Sequence, residues 1–263
     1  MKQFWPCVTL TLALSVCALN VRAFTLYGYR LLEKQPQPRQ DFVQGLQILD
    51  DRLYVSTGGY GHSQLLRYDL HSGQLEAARR LDPRLFGEGL AVVGERIYQL
   101  TWRARLLLVY ERASLQPIEW FRIPGEGWGI TYNGAQLIYS DGSDRLFFMQ
   151  PDSGEITHSI EVTLDGQPVA RLNELEWIDG KIWANVWQTD DIVIIDPANG
   201  EVTARLDLNG LLPDSDRRAG TDVLNGIAQN PKDGAIWVTG KRWPWRYRIE
   251  LVPGNDTDSD RRD

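Results

Sequence analysis

Cysteine and histidine are scarce in this sequence, and their scarcity excludes several kinds of stabilisation and chemistry. Of 263 residues, only two are Cys and three are His. Cys7 and Cys17 both lie near the N-terminus, so the rest of the chain has no disulfide and must be stabilised by a hydrophobic core. No Cys-rich or His-x-His pattern supports a catalytic zinc site, and the three histidines are scattered at His62, His71 and His158.

A long hydrophobic run is also missing. The apolar segment at residues 8–19 is too short for a transmembrane helix, which needs about 20 residues, and no stable membrane insertion is expected. Lys2 precedes this segment, and Val21-Arg22-Ala23 follows it with small residues where a signal peptidase reads. The pattern predicts a signal peptide over residues 1–23, cleaved after Ala23, and export. A periplasm is the favoured destination, and full secretion stays an open alternative. Attachment of lipid at Cys17 stays an open alternative.

Positive charge is in deficit, since 28 Lys and Arg stand against 35 Asp and Glu, for a net charge of −7. A negatively charged chain is repelled by phosphate backbones, so nucleic acid is not an expected partner. Residues 255–263 contain no apolar side chain, and we expect a disordered tail over residues 253–263. The remaining chain is long enough for one large domain, which we expect to be a monomer.

The sequence is instead rich in aromatic residues, with ten Trp and ten Tyr, and it contains a short phrase that recurs five times. The copies are spaced by roughly 40–50 residues, a period typical of β-propellers with one blade per repeat. Equivalent strands of a propeller line its central channel, so the phrase places five different groups around one axis. The copies are Val43-Gln44-Gly45-Leu46, Gly87-Glu88-Gly89-Leu90, Gly127-Trp128-Gly129-Ile130, Asn173-Glu174-Leu175-Glu176 and Asn225-Gly226-Ile227-Ala228.

Four strands are predicted in each repeat, joined by turns that are rich in Gly, Asn and Asp. The last repeat stops after its third strand, at residues 246–251, and the β-like segment 25–32 is predicted to supply the missing outer strand. The sequence therefore predicts an all-β, five-bladed β-propeller over residues 24–252, whose N-terminal strand completes the last blade. No segment has a helical period, and residues 165–175 and 208–218 are predicted to be loops.

Unusual polar and aromatic residues should collect at one mouth of the channel, where the first strands begin and the second strands end. Aromatic walls with a few convergent polar groups are typical of a small-molecule or peptide-end pocket. Each residue alone also has a structural interpretation, because Trp often packs between blades and Asn near a turn often bonds the backbone. The residues expected at this mouth are Phe42, Gln44, Phe86, Glu88, Trp102, Trp128, Asn173, Trp187 and Lys241.

Ten phrases in order along residues 25–251 are specific enough to indicate a family. They are Phe42-Val-Gln-Gly-Leu46, Ser56-Thr-Gly-Gly-Tyr-Gly61, Phe86-Gly-Glu-Gly-Leu90, Gln99-Leu-Thr-Trp102, Gly125-Glu-Gly-Trp-Gly129, Ser140-Asp-Gly-Ser143, Leu172-Asn-Glu-Leu-Glu-Trp177, Ala184-Asn-Val-Trp-Gln188, Leu224-Asn-Gly-Ile-Ala228 and Val238-Thr-Gly-Lys241. The sequence in this respect resembles the plant-type glutaminyl-peptide cyclotransferases and their bacterial members. The resemblance implies a five-bladed propeller that converts the N-terminal Gln of peptides to pyroglutamate and releases ammonia.

The resemblance implies that the family's active-site positions fall on the nine residues at the predicted mouth, and the chemistry of the reaction suggests a role for each. Glu88, Asn173 and Lys241 are the candidate catalytic residues, and Glu88 would carry a proton from the attacking amine to the departing ammonia. Asn173, Lys241 and the indole N–H of Trp128 are candidate donors to the developing oxyanion. Gln44 is a candidate to bind the α-amine through its carbonyl oxygen. The candidates for substrate binding are Phe42, Gln44, Phe86, Trp102, Trp128 and Trp187.

The residues alone leave open whether a structural ion is bound, and they are also compatible with two other functions. No metal is expected to take part in catalysis, while a structural Ca²⁺ in the channel, near Glu126 or Glu174, is an open alternative. One rival function is a non-catalytic propeller that binds a peptide or glycan at the same mouth. The other is a glycosidase, because Glu88, Glu126, Glu174 and Glu176 supply carboxylates and aromatic platforms suit sugars.

Overall fold

The computed structural model describes Met1 and residues 24–254, and the described chain is all-β, with 22 strands and one three-residue 3-10 helix. The predicted signal peptide, apart from Met1, and residues 255–263 of the predicted tail lie outside the described residues. Within the described part of the chain, no helix is long and apolar enough to span a membrane.

The strands are arranged as three four-stranded sheets, one eight-stranded sheet and a small hairpin. The chain opens with β1 (Thr25–Pro36), which belongs to the largest sheet. The first four-stranded sheet is β2 (Val43–Leu49), β3 (Arg52–Thr57), β4 (Gln64–Asp69) and β5 (Leu75–Arg80). The second is β6 (Gly87–Val93), β7 (Arg96–Thr101), β8 (Leu106–Glu111) and β9 (Pro117–Arg122). The third is β10 (Ile130–Tyr132), β11 (Leu137–Ser140), β12 (Arg145–Met149) and β13 (Ile156–Glu161).

A hairpin, β14 (Thr163–Leu164) and β15 (Gln167–Pro168), occupies part of the segment 165–175 that was expected to be a loop. Asp165 and Gly166 both have positive φ, 52° and 75°, and form its two-residue turn. Asp-Gly is a strong hairpin signal, so this departure from the predicted loop has a cause in the local sequence. The expected loop at 208–218 holds the 3-10 helix Asp214–Asp216.

The eight-stranded sheet contains the last two repeats, joined by β1. Its strands are β16 (Leu172–Ile178), β17 (Lys181–Val186), β18 (Asp191–Ile195), β19 (Val202–Asp207), β20 (Leu224–Gln229), β21 (Ile236–Gly240) and β22 (Trp245–Pro253). The predicted pairing of 25–32 with the last strand is confirmed, because β1 runs antiparallel to β22 from Tyr27↔Pro253 to Pro36↔Trp245.

Two features of β1 differ from the sequence prediction. It extends four residues beyond Leu32, to Pro36, because Glu33 and Lys34 continue the ladder with β22. Their charged side chains are exposed to solvent, and Glu33 Oε2 lies 3.9 Å from Arg248 Nη1. Its first residues also pair parallel with β19, at Thr25↔Ala204, which joins the last two repeats in one eight-stranded sheet. At the other end, Gly254 N–H donates to Leu26 O at 2.9 Å, so the folded chain passes the predicted boundary at 252.

The first strands of the five repeats contact one another in cyclic order, β2 with β6, β6 with β10, β10 with β16, β16 with β20 and β20 with β2. This ring gives the fold a propeller-like arrangement. It explains the recurring glycine of the phrase, because a Cβ at Gly45 would lie 2.5 Å from Leu90 N and one at Gly129 would lie 1.9 Å from Asn173 O. At Gly45, Gly89 and Gly129 neighbouring inner strands approach backbone to backbone, which leaves no room for a Cβ.

The hydrophobic core fills the gaps between successive sheets. One cluster packs Tyr54 and Leu65 of the first sheet against Leu90 and Ile97 of the second, and equivalent clusters lie between every other adjacent pair around the ring. These apolar contacts stabilise the described part of the chain, which contains no cysteine. The sheets are thereby held as rigid walls around the channel.

Candidate active site

One pocket at the mouth of the ring gathers all nine residues that the sequence places there. It has a volume of about 270 Å³ and a largely apolar lining. The tenth lining residue, Asp222, was not singled out from the sequence. The lining residues are Phe42, Gln44, Phe86, Glu88, Trp102, Trp128, Asn173, Trp187, Asp222 and Lys241. Such a composition suits a small ligand with an apolar stem and a few polar atoms.

Irregular strand pairing aims the polar members of the pocket. Gln44, Glu88 and Asn173 each lie where the ladder of a first strand shifts register, between Val43 and Gly45 in the first of these strands. A bulge leaves a residue out of the ladder and redirects its side chain. Four copies of the phrase therefore coincide with a bulge, and in three of them the bulged side chain, Gln44, Glu88 or Asn173, lines the pocket.

Serine hydroxyls of the second strands fix the backbone of two candidate catalytic residues. The Ser56 hydroxyl donates to the backbone carbonyl of Glu88, and Gln99 Nε2 in turn donates to Ser56 Oγ at 2.7 Å. Ser140 Oγ donates to the backbone carbonyl of Asn173 at 2.8 Å. These buried bonds connect neighbouring sheets and locate Glu88 and Asn173 on rigid backbone. Their signal in the sequence, a small polar residue near the end of the second strand, recurs in two repeats.

Aromatic rings form the walls of the pocket in two edge-to-face groups. In the first group, Phe42 and Phe86 have centroids 6.1 Å apart, and Phe86 and Trp102 are separated by 5.5 Å. In the second, Trp128 and Trp187 are separated by 5.6 Å. T-shaped packing of this kind restrains ring orientation and adds stability beyond burial of area. The walls are therefore fixed surfaces for a ligand.

The indole N–H of Trp128 has a partner in the protein, which corrects its predicted role as an oxyanion donor. Trp128 Nε1 donates to Glu126 Oε2 at 3.2 Å, and Trp102 Nε1 donates to the same oxygen at 2.6 Å. Glu126 is not one of the residues that line the pocket. Asn173 and Lys241 remain as the candidate donors.

Glu88 and Lys241 are the buried ionisable groups of the pocket, exposed by 5% and 4% respectively. Burial raises the pKa of Glu88 well above its usual value, with the positive charge of Lys241 opposing and the negative charge of Glu126 adding to this shift. Burial lowers the pKa of Lys241, while Glu88 and Asp222 oppose that shift. Opposed shifts of this kind are typical of groups that exchange protons near neutral pH.

Asp222 and Lys241 are placed by a short backbone ladder. Asp222 N–H donates to Lys241 O at 3.0 Å, and Lys241 N–H donates to Val223 O at 2.9 Å. Trp243 Nε1 donates to Asp222 O at 2.9 Å and closes the arrangement. No motif marks Asp222, because it lies in the loop before the fifth phrase, where the repeats have no common pattern.

Asn225 and Asn173 have buried amide side chains that differ in their hydrogen bonds. Asn225 Nδ2 donates to Gln44 Oε1 at 3.3 Å and to Val43 O at 3.1 Å, so the fifth phrase supports the first. The Oδ1 atoms of Asn173 and Asn225 are both buried and accept no hydrogen bond from the described residues, and of the two residues Asn173 lines the pocket. A buried acceptor without a partner is costly, and a ligand N–H would satisfy it.

The other glutamates considered from the sequence, Glu126, Glu174 and Glu176, do not line the pocket. Glu174 accepts from Leu46 N–H and Ile227 N–H, and Glu176 accepts from Gln229 N–H. Among the residues that the structure describes, no three His, Cys, Asp or Glu side chains are grouped as a metal site would require. Glu88 is thus the one Glu of the four that lines the pocket, and a pair of glutamates flanking a glycosidic bond is not assembled.

Comparisons with known proteins identify the family of the chain. The glutamine cyclotransferase family model matches residues 7–251. The glutaminyl-peptide cyclotransferase of Arabidopsis thaliana is 38% identical over 222 residues, which cover 82% of this chain and 69% of that protein. The crystal structure of Myxococcus xanthus glutaminyl cyclase superposes with a TM-score of 0.81 at 36% identity and covers 88% of this chain and 100% of its own. The chain belongs to the glutamine cyclotransferase family.

A more distant likeness concerns the fold alone. Hydrazine synthase of Kuenenia stuttgartiensis is 14% identical, with a TM-score of 0.51, and the match covers 82% of this chain and 64% of that one. At such identity the arrangement of strands is shared and the chemistry is not transferred.

Proposed function

We propose that this pocket binds the N-terminal Gln of a peptide and closes it to pyroglutamate with release of ammonia. By its family the chain is a glutaminyl-peptide cyclotransferase. The observation that carries the assignment of the site is the meeting, in one pocket, of a buried carboxyl, a buried amine, two amides and five aromatic rings. The residue roles below are part of the proposal.

The reaction needs one bond formed, one bond broken and one proton moved. The α-amine nitrogen attacks the side-chain amide carbon of the same residue, and the bond from that carbon to its NH₂ group breaks. The amine loses a proton, and the departing NH₂ gains one to leave as ammonia. Because both reacting groups belong to one residue, holding it in a folded conformation contributes much of the rate. The aromatic walls do this without competing for the amide.

Glu88 is the residue that carries the proton. Its carboxylate accepts a proton from the attacking amine and, as the acid, delivers it to the leaving nitrogen. Burial raises the pKa of Glu88, which makes it a better base when ionised and keeps the proton available for the second step. The bond from Ser56 holds the Glu88 backbone in place between these two steps.

Recognition falls to the remaining polar groups. Lys241 is placed to stabilise the oxyanion that develops on the amide oxygen, since its amine is buried in the pocket. Asn173 Oδ1 takes an N–H of the bound Gln, which satisfies its empty acceptor position. Gln44 Oε1 has a second lone pair beyond the one used by Asn225 and accepts from the α-amine.

The proposed chemistry uses no metal. Nucleophile and electrophile are both in the substrate, and Glu88 supplies acid and base. A structural Ca²⁺ finds little support at Glu174, because the N–H groups of Leu46 and Ile227 point at its carboxyl oxygens. At Glu126, one oxygen is taken by two indole N–H groups.

The fold that presents this pocket is proposed to have five blades. Its support is the closed cycle of five first strands and the five core clusters between sheets. In this description the eight-stranded sheet is two blades, and β1 is the outer strand of the last, with its first residues reaching over to β19. Joining both chain ends in one sheet limits edge exposure.

Export is a separate part of the proposal. Lys2, the apolar residues 8–19 and the small residues before Phe24 support cleavage after Ala23 and transfer to the periplasm. The exported chain is proposed to act as a monomer. N-terminal sequencing of the protein recovered from an osmotic-shock fraction tests the export and the cleavage site, and a mature chain that does not begin at Phe24 contradicts the predicted cleavage. Light scattering of the same protein tests whether it is a monomer.

The activity and its metal independence are tested together. The protein is incubated with a peptide that begins with Gln, and the mass loss of ammonia is followed with and without chelator. The expected result is conversion at equal rates. A matched peptide with N-terminal Asn, which would have to close a four-membered ring, should not react. Absence of product would favour a binding module, and loss of conversion on chelation would contradict the metal-free mechanism.

A further inference from the structure

We propose that Glu126 is a positioning residue that holds both aromatic groups of the pocket in register through a shared hydrogen-bond acceptor. Glu126 immediately precedes the third recurring phrase and lies two residues before Trp128. The inference rests on the proposed function only where turnover is measured, since the contacts themselves are independent of it.

The two aromatic groups are joined by a single oxygen. Phe42, Phe86 and Trp102 form one group, and Trp128 and Trp187 form the other. Glu126 Oε2 accepts from Trp102 Nε1 at 2.6 Å and from Trp128 Nε1 at 3.2 Å, one indole from each group. Hydrogen bonds to an ionised acceptor are roughly twice as strong as neutral ones. The five rings thereby become one connected wall.

Arg103, which does not line the pocket, contacts both Trp102 and Glu126. Its Cζ lies 4.0 Å from the centroid of the Trp102 ring, and its Nε lies 3.7 Å from Glu126 Oε1. Trp102 is therefore held by its N–H on one side and by a guanidinium on its face. The ion pair itself is partly exposed and contributes little energy, so the indole bonds carry the positioning.

The charge of Glu126 also reaches the candidate base. Its carboxylate is one of the groups that raise the pKa of Glu88, in the direction opposite to Lys241. Glu126 therefore has two separable effects on the pocket, one through hydrogen-bond geometry and one through charge. A residue that served folding alone would not change the pH profile of turnover.

The substitution Glu126→Gln separates the two effects. The side-chain carbonyl of Gln can accept the same two N–H groups, so we expect KM to stay within about twofold of the wild type. The negative charge is lost, so the acid limb of kcat/KM should move to lower pH. Glu126→Ala removes the acceptor as well, and kcat/KM should fall about 10- to 100-fold as the walls separate. Glu119→Gln, on the exposed strand β9, is the matched control and should leave both quantities unchanged.

The contacts are tested without turnover by the indole N–H resonances of the folded protein. In Glu126→Gln the resonances of Trp102 and Trp128 should both shift, while that of Trp120 on β9 should stay in place. Resonances that do not move would overturn the proposal even if activity fell. Shifted resonances with wild-type kinetics in Glu126→Ala would also overturn it. If Glu126→Ala does not fold, the NMR and pH results on Glu126→Gln decide, and an inactive wild type would count against the proposed function alone.

Discussion

The Glu174 carboxyl reaches across the inner ring and accepts a hydrogen bond from the backbone N–H of Leu46, 3.1 Å away. Its other oxygen accepts from Ile227 N–H at 2.8 Å. Glu174 stands where the other four phrases have glycine, so the fourth copy places a side chain where its counterparts have none. That side chain joins β16 to β2 and β20 and closes the ring that carries the pocket.

Removal of this side chain should destabilise the fold. Glu174→Ala leaves two buried N–H groups without acceptors, and each such group costs about 1–3 kcal/mol. We expect a loss of about 2–4 kcal/mol in the free energy of unfolding, measured by urea denaturation. The exposed Glu155, replaced by Ala, is the control and should change stability little. Equal stability of the two variants would show that the ring closes without Glu174.

Stability should fall as the pH rises because of Glu176. Burial raises the pKa of Glu176 to about 8, from a usual value of 4.5. A raised pKa in the folded state stabilises the protonated protein, so the contribution is complete below the unfolded value and is lost as the pH rises through about 8. Thermal midpoints between pH 5 and pH 9 should decline less in Glu176→Gln than in the wild type. Parallel curves for the two proteins would contradict this.

The acid limb of turnover should report the charges around Glu88. The base must be ionised, and burial raises the pKa of Glu88, so kcat/KM should rise with pH above the usual range of a glutamate. Lys241 lowers this pKa, hence Lys241→Met should move the limb to higher pH, opposite to Glu126→Gln. Profiles of kcat/KM for the three proteins provide the measurement. A shift of both variants in one direction would show that these charges do not act on Glu88.

The position of the Trp128 ring in the pocket wall depends on the absence of a side chain at Gly142. This residue has a φ of +84°, and a Cβ there would lie 2.6 Å from the Trp128 indole. Gly142→Ala should therefore displace the ring and raise KM by about tenfold or more. Gly134, with a φ of +95° and no atom within 4 Å of its Cβ position, is the matched control for backbone strain. If both Ala variants raise KM equally, strain rather than contact is the cause.

Much of this architecture was accessible from the sequence because the ring requires close backbone contact. Gly45 and Gly129 recur at the positions where inner strands touch, and the residues beside them vary, which marked Gln44 and Glu88 as candidates. The pairing of 25–32 followed from the missing strand of the last repeat.

The rest depended on contacts between segments that are distant in the chain. No local sequence pattern indicates that Glu126 joins Trp102 to Trp128. The sequence alone therefore predicts that the indole N–H of Trp128 is free to donate to the oxyanion, whereas in the structure it donates to Glu126. Asp222 reaches the pocket through its ladder with Lys241, and its loop has no counterpart in the other repeats. Partners of this kind are set by the packing of sheets rather than by a motif.

The role of Glu88 is tested most directly by the turnover of Glu88→Gln on a peptide that begins with Gln. The variant retains the shape of the side chain and the backbone bond from Ser56, so it should fold and bind as the wild type does. Conversion to pyroglutamate, followed by the loss of ammonia in mass spectra, should fall by about 10²–10⁴-fold. Near-normal conversion by folded Glu88→Gln would contradict proton transfer by this residue.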